Sequence, residues 1–111
     1  MQLGKFCLSL TVKDIAVSKS WYEKLGFKAV NGCGSIEDKW LIMSNGNTMF
    51  GLFQDMFNEN ILTFNPEDVR AIQAGLQEQG IDIEKEALGE SGPAHIMLRD
   101  PDDNLIMLDQ Y

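Results

Sequence analysis

Few side chains in this 111-residue chain can carry chemistry. His95 is the single histidine, and Cys7 and Cys33 are the two thiols. A lone imidazole on a strand works as an acid–base group only when a partner orients it, so His95 is read as structural or exposed. Cys7 and His95 would make a nucleophile–base pair if their strands adjoin. Arg99 either holds an anionic group or pairs with Asp100 or Asp102. Cys7 and Cys33 lack metal-ligand spacing. With no apolar leader in Met1-Gln2-Leu3-Gly4-Lys5, they are expected to be reduced thiols of a cytoplasmic protein. The run Asp100-x-Asp102-x-Asn104 imitates the start of a calcium loop. Leu105 stands where that loop needs glycine and Tyr111 where it needs glutamate, so calcium is not expected.

Composition narrows the partners. Hydrophobic residues make up 44% and charged residues 23%, and nine basic side chains face seventeen acidic ones for a net charge of −8. This is an ordinary composition for one globular domain with a real core. The negative charge repels phosphate backbones and tolerates a cationic ligand, so a nucleic-acid partner is not expected on charge alone. No apolar run is long enough for a membrane span.

The elements that must position these residues follow from periodicity. Phe6, Leu8, Leu10 and Val12 alternate with Cys7, Ser9 and Thr11, which predicts a half-buried strand. Asp14 caps a helix in which Val17, Trp21 and Leu25 recur at four-residue spacing beside Tyr22, and Gly26 stops it. Trp21 and Tyr22 are assigned to the core or to a dimer contact. Strands are predicted over Phe27–Val30, Trp40–Met43 and Thr48–Gln54. Asn31–Ser35 reads as a loop, and Ser44–Asn47 as a hairpin turn. The pattern then restarts. Ile61–Phe64 is a strand, Asn65 is an N-cap with Pro66 at the first helical position, and Val69, Ile72 and Leu76 form a buried stripe ended by Gly80. Ile81–Ile83 begins another strand. Ala94–Arg99 and Leu105–Leu108 form a hairpin around Asp100-Pro101-Asp102-Asp103-Asn104. Asp14 and Asp68, Gly26 and Gly80, Leu10 and Phe64, and Cys7 and Ile61 are each 54 residues apart. A shared offset for strand, helix start and helix stop predicts an internal β-α-β-β-β repeat.

With this repeat, three segments resemble the vicinal oxygen chelate superfamily, the glyoxalase, bleomycin-resistance and dioxygenase group. They are Leu8-Ser9-Leu10-Thr11-Val12-Lys13-Asp14-Ile15, Trp21-Tyr22-Glu23-Lys24-Leu25-Gly26-Phe27, and Asp100-Pro101-Asp102-Asp103-Asn104-Leu105-Ile106, with Asp103 where the family usually has glycine. The resemblance implies an α+β fold: two βαβββ modules, about 1–54 and about 61–111, forming curved mixed sheets around a concave cavity in a single domain that commonly forms a homodimer. It also implies where metal-dependent relatives would hold a divalent ion: Cys7, Ile61, Met107, and Gly51 with Phe53 as the alternative register. Cys, Ile, Met and Gly do not suit such an ion.

Alternation then supplies cavity-facing candidates: Cys7, Ser9, Thr11, Met49, Phe53, Thr63, His95, Met97, Arg99 and Met107, with Trp40 added although its facing is ambiguous. This apolar, sulfur-rich lining suits a flat or hydrophobic small molecule. The expectation is a small-molecule-binding protein without metal or other cofactor, sequestering a hydrophobic or cationic drug-like compound. The alternatives are a lyase, isomerase or dioxygenase relative with a displaced metal site, and an interaction module whose cavity its own side chains fill.

Overall fold

The computed structural model describes all 111 residues, Met1–Tyr111. Seven strands and two helices occur in the order β1 (Lys5–Val12), α1 (Ile15–Glu23), β2 (Lys28–Ser35), β3 (Trp40–Asn45), β4 (Thr48–Gln54), β5 (Ile61–Asn65), α2 (Val69–Glu78), β6 (Ala94–Arg99) and β7 (Leu105–Gln110). The fold class is the expected α+β. The chain forms two compact units, Cys7–Asn60 and Ile61–Tyr111 with Met1–Phe6. Neither helix is long and apolar enough to cross a membrane.

In the unit Cys7–Asn60 the strands lie in the order β2-β3-β4-β1, with β1 parallel to β4 and the other pairs antiparallel. Ile15, Leu41, Met43, Phe50 and Leu52 form its buried core, and Leu8, Leu10 and Val12 pack against them. The other unit repeats the plan as β5-β7-β6, with β5 parallel to β7 and β6 antiparallel to it. Val69, Ile72 and Leu76 of α2 pack on Ile96, Leu98 and Leu108. Leu3 joins this core, and Phe6 lies 5.1 Å from Phe64, ring centre to ring centre.

The two helix starts show how closely the units correspond. Asp14 accepts hydrogen bonds from the N–H groups of Ala16 and Val17, and Asp68 accepts one from Ala71. A glutamine at the end of each unit's last strand completes the cap. The Gln54 Oε1 accepts from the Ile15 N–H, and the Gln110 Oε1 accepts from the Val69 N–H, both at 2.9 Å. These are first-turn donors with no partner inside the helix, and each bond contributes about 1 kcal/mol.

Four expectations are corrected. Asn65 is not the cap of α2; it ends β5, and its amide donates to the Asp109 carbonyl. The Asn31–Ser35 segment is strand rather than loop, because an irregularity between Ala29 and Gly34 absorbs the glycines within β2. The strand predicted at Ile81–Ile83 does not form. Ile83 does pack against the core, but the ladder is reduced to one bridge, Lys85 with Met97. This bridge sits beside β6 where β2 sits beside β3. Finally, Val17, Trp21 and Leu25 are not the inward stripe of α1. They are 65%, 55% and 56% exposed, while Ile15 and Tyr22 face the sheet. Tyr22 decides the facing, because its ring packs on both Phe27 and Phe50.

The Asp100–Asn104 turn forms as expected. Asp100 accepts from the Asp102 and Asn104 N–H groups and from the Asn104 amide, and these bonds hold its carboxyl below the usual carboxylate range. Asp103 takes the left-handed conformation, φ 71°, that the family's usual glycine would take without strain.

Candidate functional site

The face of strands β2-β3-β4-β1 away from α1 is built by alternation. Leu41, Met43, Phe50 and Leu52 point to the core, so Trp40, Ile42, Gly51 and Phe53 occupy the opposite face. This places Trp40, whose facing was ambiguous. Trp40 and Phe53 are paired across β3 and β4, and their rings are stacked at 6.3 Å with planes 9° apart. Phe57 lies 5.1 Å from Phe53. It reaches this position because Thr11 grips the connection after β4. The Thr11 Oγ1 donates to the Phe57 carbonyl at 2.9 Å, and the Thr11 N–H donates to the Asn60 Oδ1 at 3.0 Å. Thr11, a cavity-facing candidate, therefore positions Phe57. Phe57 itself was missed; its signal is an aromatic residue four positions after Phe53 in a polar connection.

Two glycines accommodate this aromatic row. A Cβ on Gly34, where φ is 84°, would collide with the Trp40 carbonyl oxygen, and the Trp40 ring lies close beside it. A Cβ on Gly51 would strike the Phe53 ring and approach Ile42. Phe53 thus fills the space that a side chain at position 51 would use.

Of the other candidates in this unit, Met49 is exposed at the hairpin end of β4, Ser9 is buried, and Cys7 is half-buried with its Sγ 3.8 Å from the Leu8 carbonyl oxygen. Burial pushes the Cys7 thiol up from its ordinary value, and a hydrogen bond from the Gly51 backbone only partly opposes this. That shift is the reverse of what an activated nucleophile needs. Accordingly, in a Cys33→Ser variant, Cys7 is expected to alkylate at least tenfold more slowly at pH 7.5 in the folded protein than in urea, as followed by mass spectrometry. Equal rates would contradict the burial.

In the other unit, the face away from α2 carries Thr63, Met97, Met107 and His95. Thr63 pairs across from Met107, Met107 from Met97, and His95 from Asp109. Thr63 is buried, and the others are half-buried. Arg99 is engaged by its own chain. It donates to the Glu84 carboxylate at 2.9 Å and to the Asp103 carbonyl at 3.0 Å, and it lies 3.7 Å from the Asp103 carboxylate.

The model of the glyoxalase/bleomycin resistance protein/dioxygenase superfamily matches residues 5–108. The chain belongs to this superfamily. Solved structures carry the same fold. A glyoxalase/bleomycin resistance protein/dioxygenase superfamily member from Vibrio splendidus superposes with a TM-score of 0.72 at 16% identity, covering 96% of this chain and 98% of that one. Methylmalonyl-CoA epimerase from Mycobacterium tuberculosis gives 0.66 at 17% identity over 93% and 84%. A Legionella pneumophila protein described as an NAD-dependent benzaldehyde dehydrogenase gives 0.76 at 16% over 96% and 98%. At these identities the likeness is one of fold. No curated protein matches the sequence.

The metal chemistry of this superfamily does not fit the residues present. Cys7, Gly51, Ile61 and Met107 stand at the expected ligand positions, with Phe53 over Gly51. No three His, Cys, Asp or Glu side chains converge on a point where they could hold an ion. Isoleucine and glycine side chains donate nothing, and a thioether suits only soft ions. Met107→Glu is therefore expected to leave the protein without measurable Zn²⁺, Ni²⁺ or Mn²⁺ binding in calorimetry. Tight binding by this variant would show that the ligand positions are wrongly assigned.

Proposed function

We propose that this superfamily member binds a small, flat, hydrophobic or cationic molecule without using a metal, and that the Trp40–Phe53–Phe57 row is its binding wall. The observation that carries this reading is the parallel Trp40–Phe53 stack above Gly51. Aromatic faces attract cations and planar rings, and the net charge of −8 favours a cationic ligand over an anionic one. A ligand stacks on the exposed parts of these rings. Rotation of Phe53 away from Gly51 opens a floor that carries no side chain. The fit is to sequestration rather than catalysis, because burial pushes the Cys7 thiol up, away from nucleophile activation, and Arg99 is engaged by its own chain. A cytoplasmic location is part of the proposal, on the two unpaired thiols Cys7 and Cys33.

Proflavine, a planar aromatic cation, is a suitable probe. In a Trp21→Phe background, saturable quenching of Trp40 fluorescence is expected. Affinity should fall about tenfold or more in Phe53→Ala, the scale of one lost aromatic–cation contact. No saturable binding up to millimolar proflavine, or equal binding by Phe53→Ala, would overturn the assignment. So would about one divalent ion per chain in elemental analysis of the purified protein, which would favour the lyase, isomerase or dioxygenase reading.

A further inference from the structure

The aromatic row ends on an ion pair. Lys39 immediately precedes Trp40, and Asp55 lies between Phe53 and Phe57, two residues from each. Two residues of chain span about 7 Å at most, so Asp55 stays at the end of the row. The Lys39 Nζ is 3.0 Å from the Asp55 Oδ2, and the Gln54 Nε2 lies 3.5 Å from the same oxygen. The hydrogen bond from Lys39 holds the Asp55 carboxyl below the usual carboxylate range, so it is ionised at neutral pH. Both side chains are more than half exposed.

The fold does not need this pair. Gln110 caps α2 as Gln54 caps α1, but the residue across from Gln110 is Ala94 and the residue after it is Tyr111. In the unit Cys7–Asn60 those two places are taken by Lys39, whose carbonyl accepts from the Gln54 N–H at 2.9 Å, and by Asp55. The cap forms in both units. Nor does the backbone favour a lysine. Lys39 has φ 67° and Asp55 φ 61°; with Asp103 they are the three non-glycine residues in the left-handed region. Aspartate tolerates that conformation, whereas glycine or asparagine would suit it better than lysine. An exposed ion pair also contributes little to stability. What the pair does supply is an ionised carboxylate beside an aromatic wall, already holding an alkylammonium.

We propose that Asp55 is the anionic anchor of the Trp40–Phe53–Phe57 wall, and that the Lys39 ammonium keeps the place of a ligand's own ammonium until that ligand arrives. This role rests on the wall proposed above and gives its ligand class, a planar aromatic ring carrying an alkylammonium arm. The ring stacks on Trp40 and Phe53, and the arm takes over the Asp55 carboxylate from Lys39. The exchange costs little, because one exposed ammonium–carboxylate contact replaces another and the lysine, on its flexible stem, returns to water. A ring without an arm leaves the ion pair intact and gains only the stack.

Fluorescence titration of the full chain, in the Trp21→Phe background, with two acridines tests the proposal. Quinacrine has the ring and a tertiary alkylammonium arm; 9-aminoacridine has the ring alone. The readout is the ratio of their affinities, in which the stacking common to both cancels. Asp55→Asn, which keeps the left-handed backbone, should lower the ratio about threefold or more, the scale of one exposed ion pair. Lys39→Met, which keeps the stem and removes the competing ammonium, should raise it by a similar factor. Both variants break the same ion pair, so a purely structural role would move the ratio in one direction only. Lys28→Met removes the same charge at the other end of β3, where Lys28 pairs with Ser44, and should raise the ratio less than Lys39→Met does. Equal rises would reduce the effect to net charge and overturn the proposal. A ratio unchanged by Asp55→Asn, while Phe53→Ala still weakens both acridines, overturns the anchor and leaves the wall standing. A ratio that stays or falls in Lys39→Met overturns the competition. Saturable binding of neither acridine overturns wall and anchor together.

Discussion

Gly34→Ala is expected to destabilise the protein by about 3–5 kcal/mol, a large share of the ~5–15 kcal/mol that holds a domain of this size. Two effects combine. The backbone at Gly34 has φ 84°, where a side chain is strained, and a Cβ there meets the Trp40 carbonyl, which is backbone and cannot swing away. Gly51→Ala makes the informative contrast. Its Cβ would strike the Phe53 ring, the far end of a side chain, and φ at Gly51 is not in the left-handed region. It should cost about 1 kcal/mol and act mainly by pushing the ring aside. Urea melts of both variants in a Trp21→Phe background separate the cases. Gly34→Ala lowers the midpoint sharply, whereas Gly51→Ala keeps most of the stability and shifts the Trp40 emission. Equal losses would show that the Phe53 ring is fixed in place, and access to Gly51 would then fail as part of the binding mechanism.

Arg70→Ala should cost about 2 kcal/mol, or a fall in Tm on the order of 5–10 °C. The carbonyls of Leu88, Gly89, Ser91 and Gly92, in the connection between α2 and β6, are satisfied by one charged fork, and a water-exposed setting discounts each bond below its buried value. Arg70→Lys should recover little, because a single ammonium cannot reach four oxygens in a planar arrangement. Hydrogen exchange would detect the change locally, as faster exchange in the 84–92 connection with the Leu41 and Leu52 strands unaffected. A melting curve unchanged by Arg70→Ala would mean that the loop is held by other contacts, such as the bond from the Ala87 N–H to the Gln73 Oε1.

Much of this architecture was legible because local and tertiary requirements coincide. Asp14 read as a helix start, Gly26 and Gly80 as stops, and Asp100–Asn104 as a turn, and each does that work within a few residues of its own position. The errors share a cause. Val17, Trp21 and Leu25 form a better apolar stripe than Ile15 and Tyr22, but the Phe27 ring just past the helix and the Phe50 ring, distant in sequence, turned Tyr22 inward. Asn31–Ser35 has turn composition, yet a glycine irregularity is also how a strand absorbs extra residues. Ile81 and Ile83 alternate like a strand, but Ile83 is buried without joining a ladder. In the candidate site, the alternation of Trp40, Gly51 and Phe53 was readable, whereas Phe57 was not, because its place depends on two hydrogen bonds from Thr11. Arg99 was recognised as an ion-pairing residue; Glu84 reaches it by the path of the connection before β6, and Asp103 from the turn after β6.

The glutamine bonds at the two helix starts bear on how the chain folds. α1 and α2 have nine and ten residues, shorter than the roughly 12–15 at which an isolated helix begins to persist in water. Neither can rely on local propensity. Each acquires its last first-turn partner only when the final strand of its own half arrives, closing loops of 39 and 41 residues. Closure entropy grows only with the logarithm of loop length, so these two events carry nearly the same cost. Complete capping of both helices therefore depends on long-range closure, at nearly the same entropic cost in the two halves.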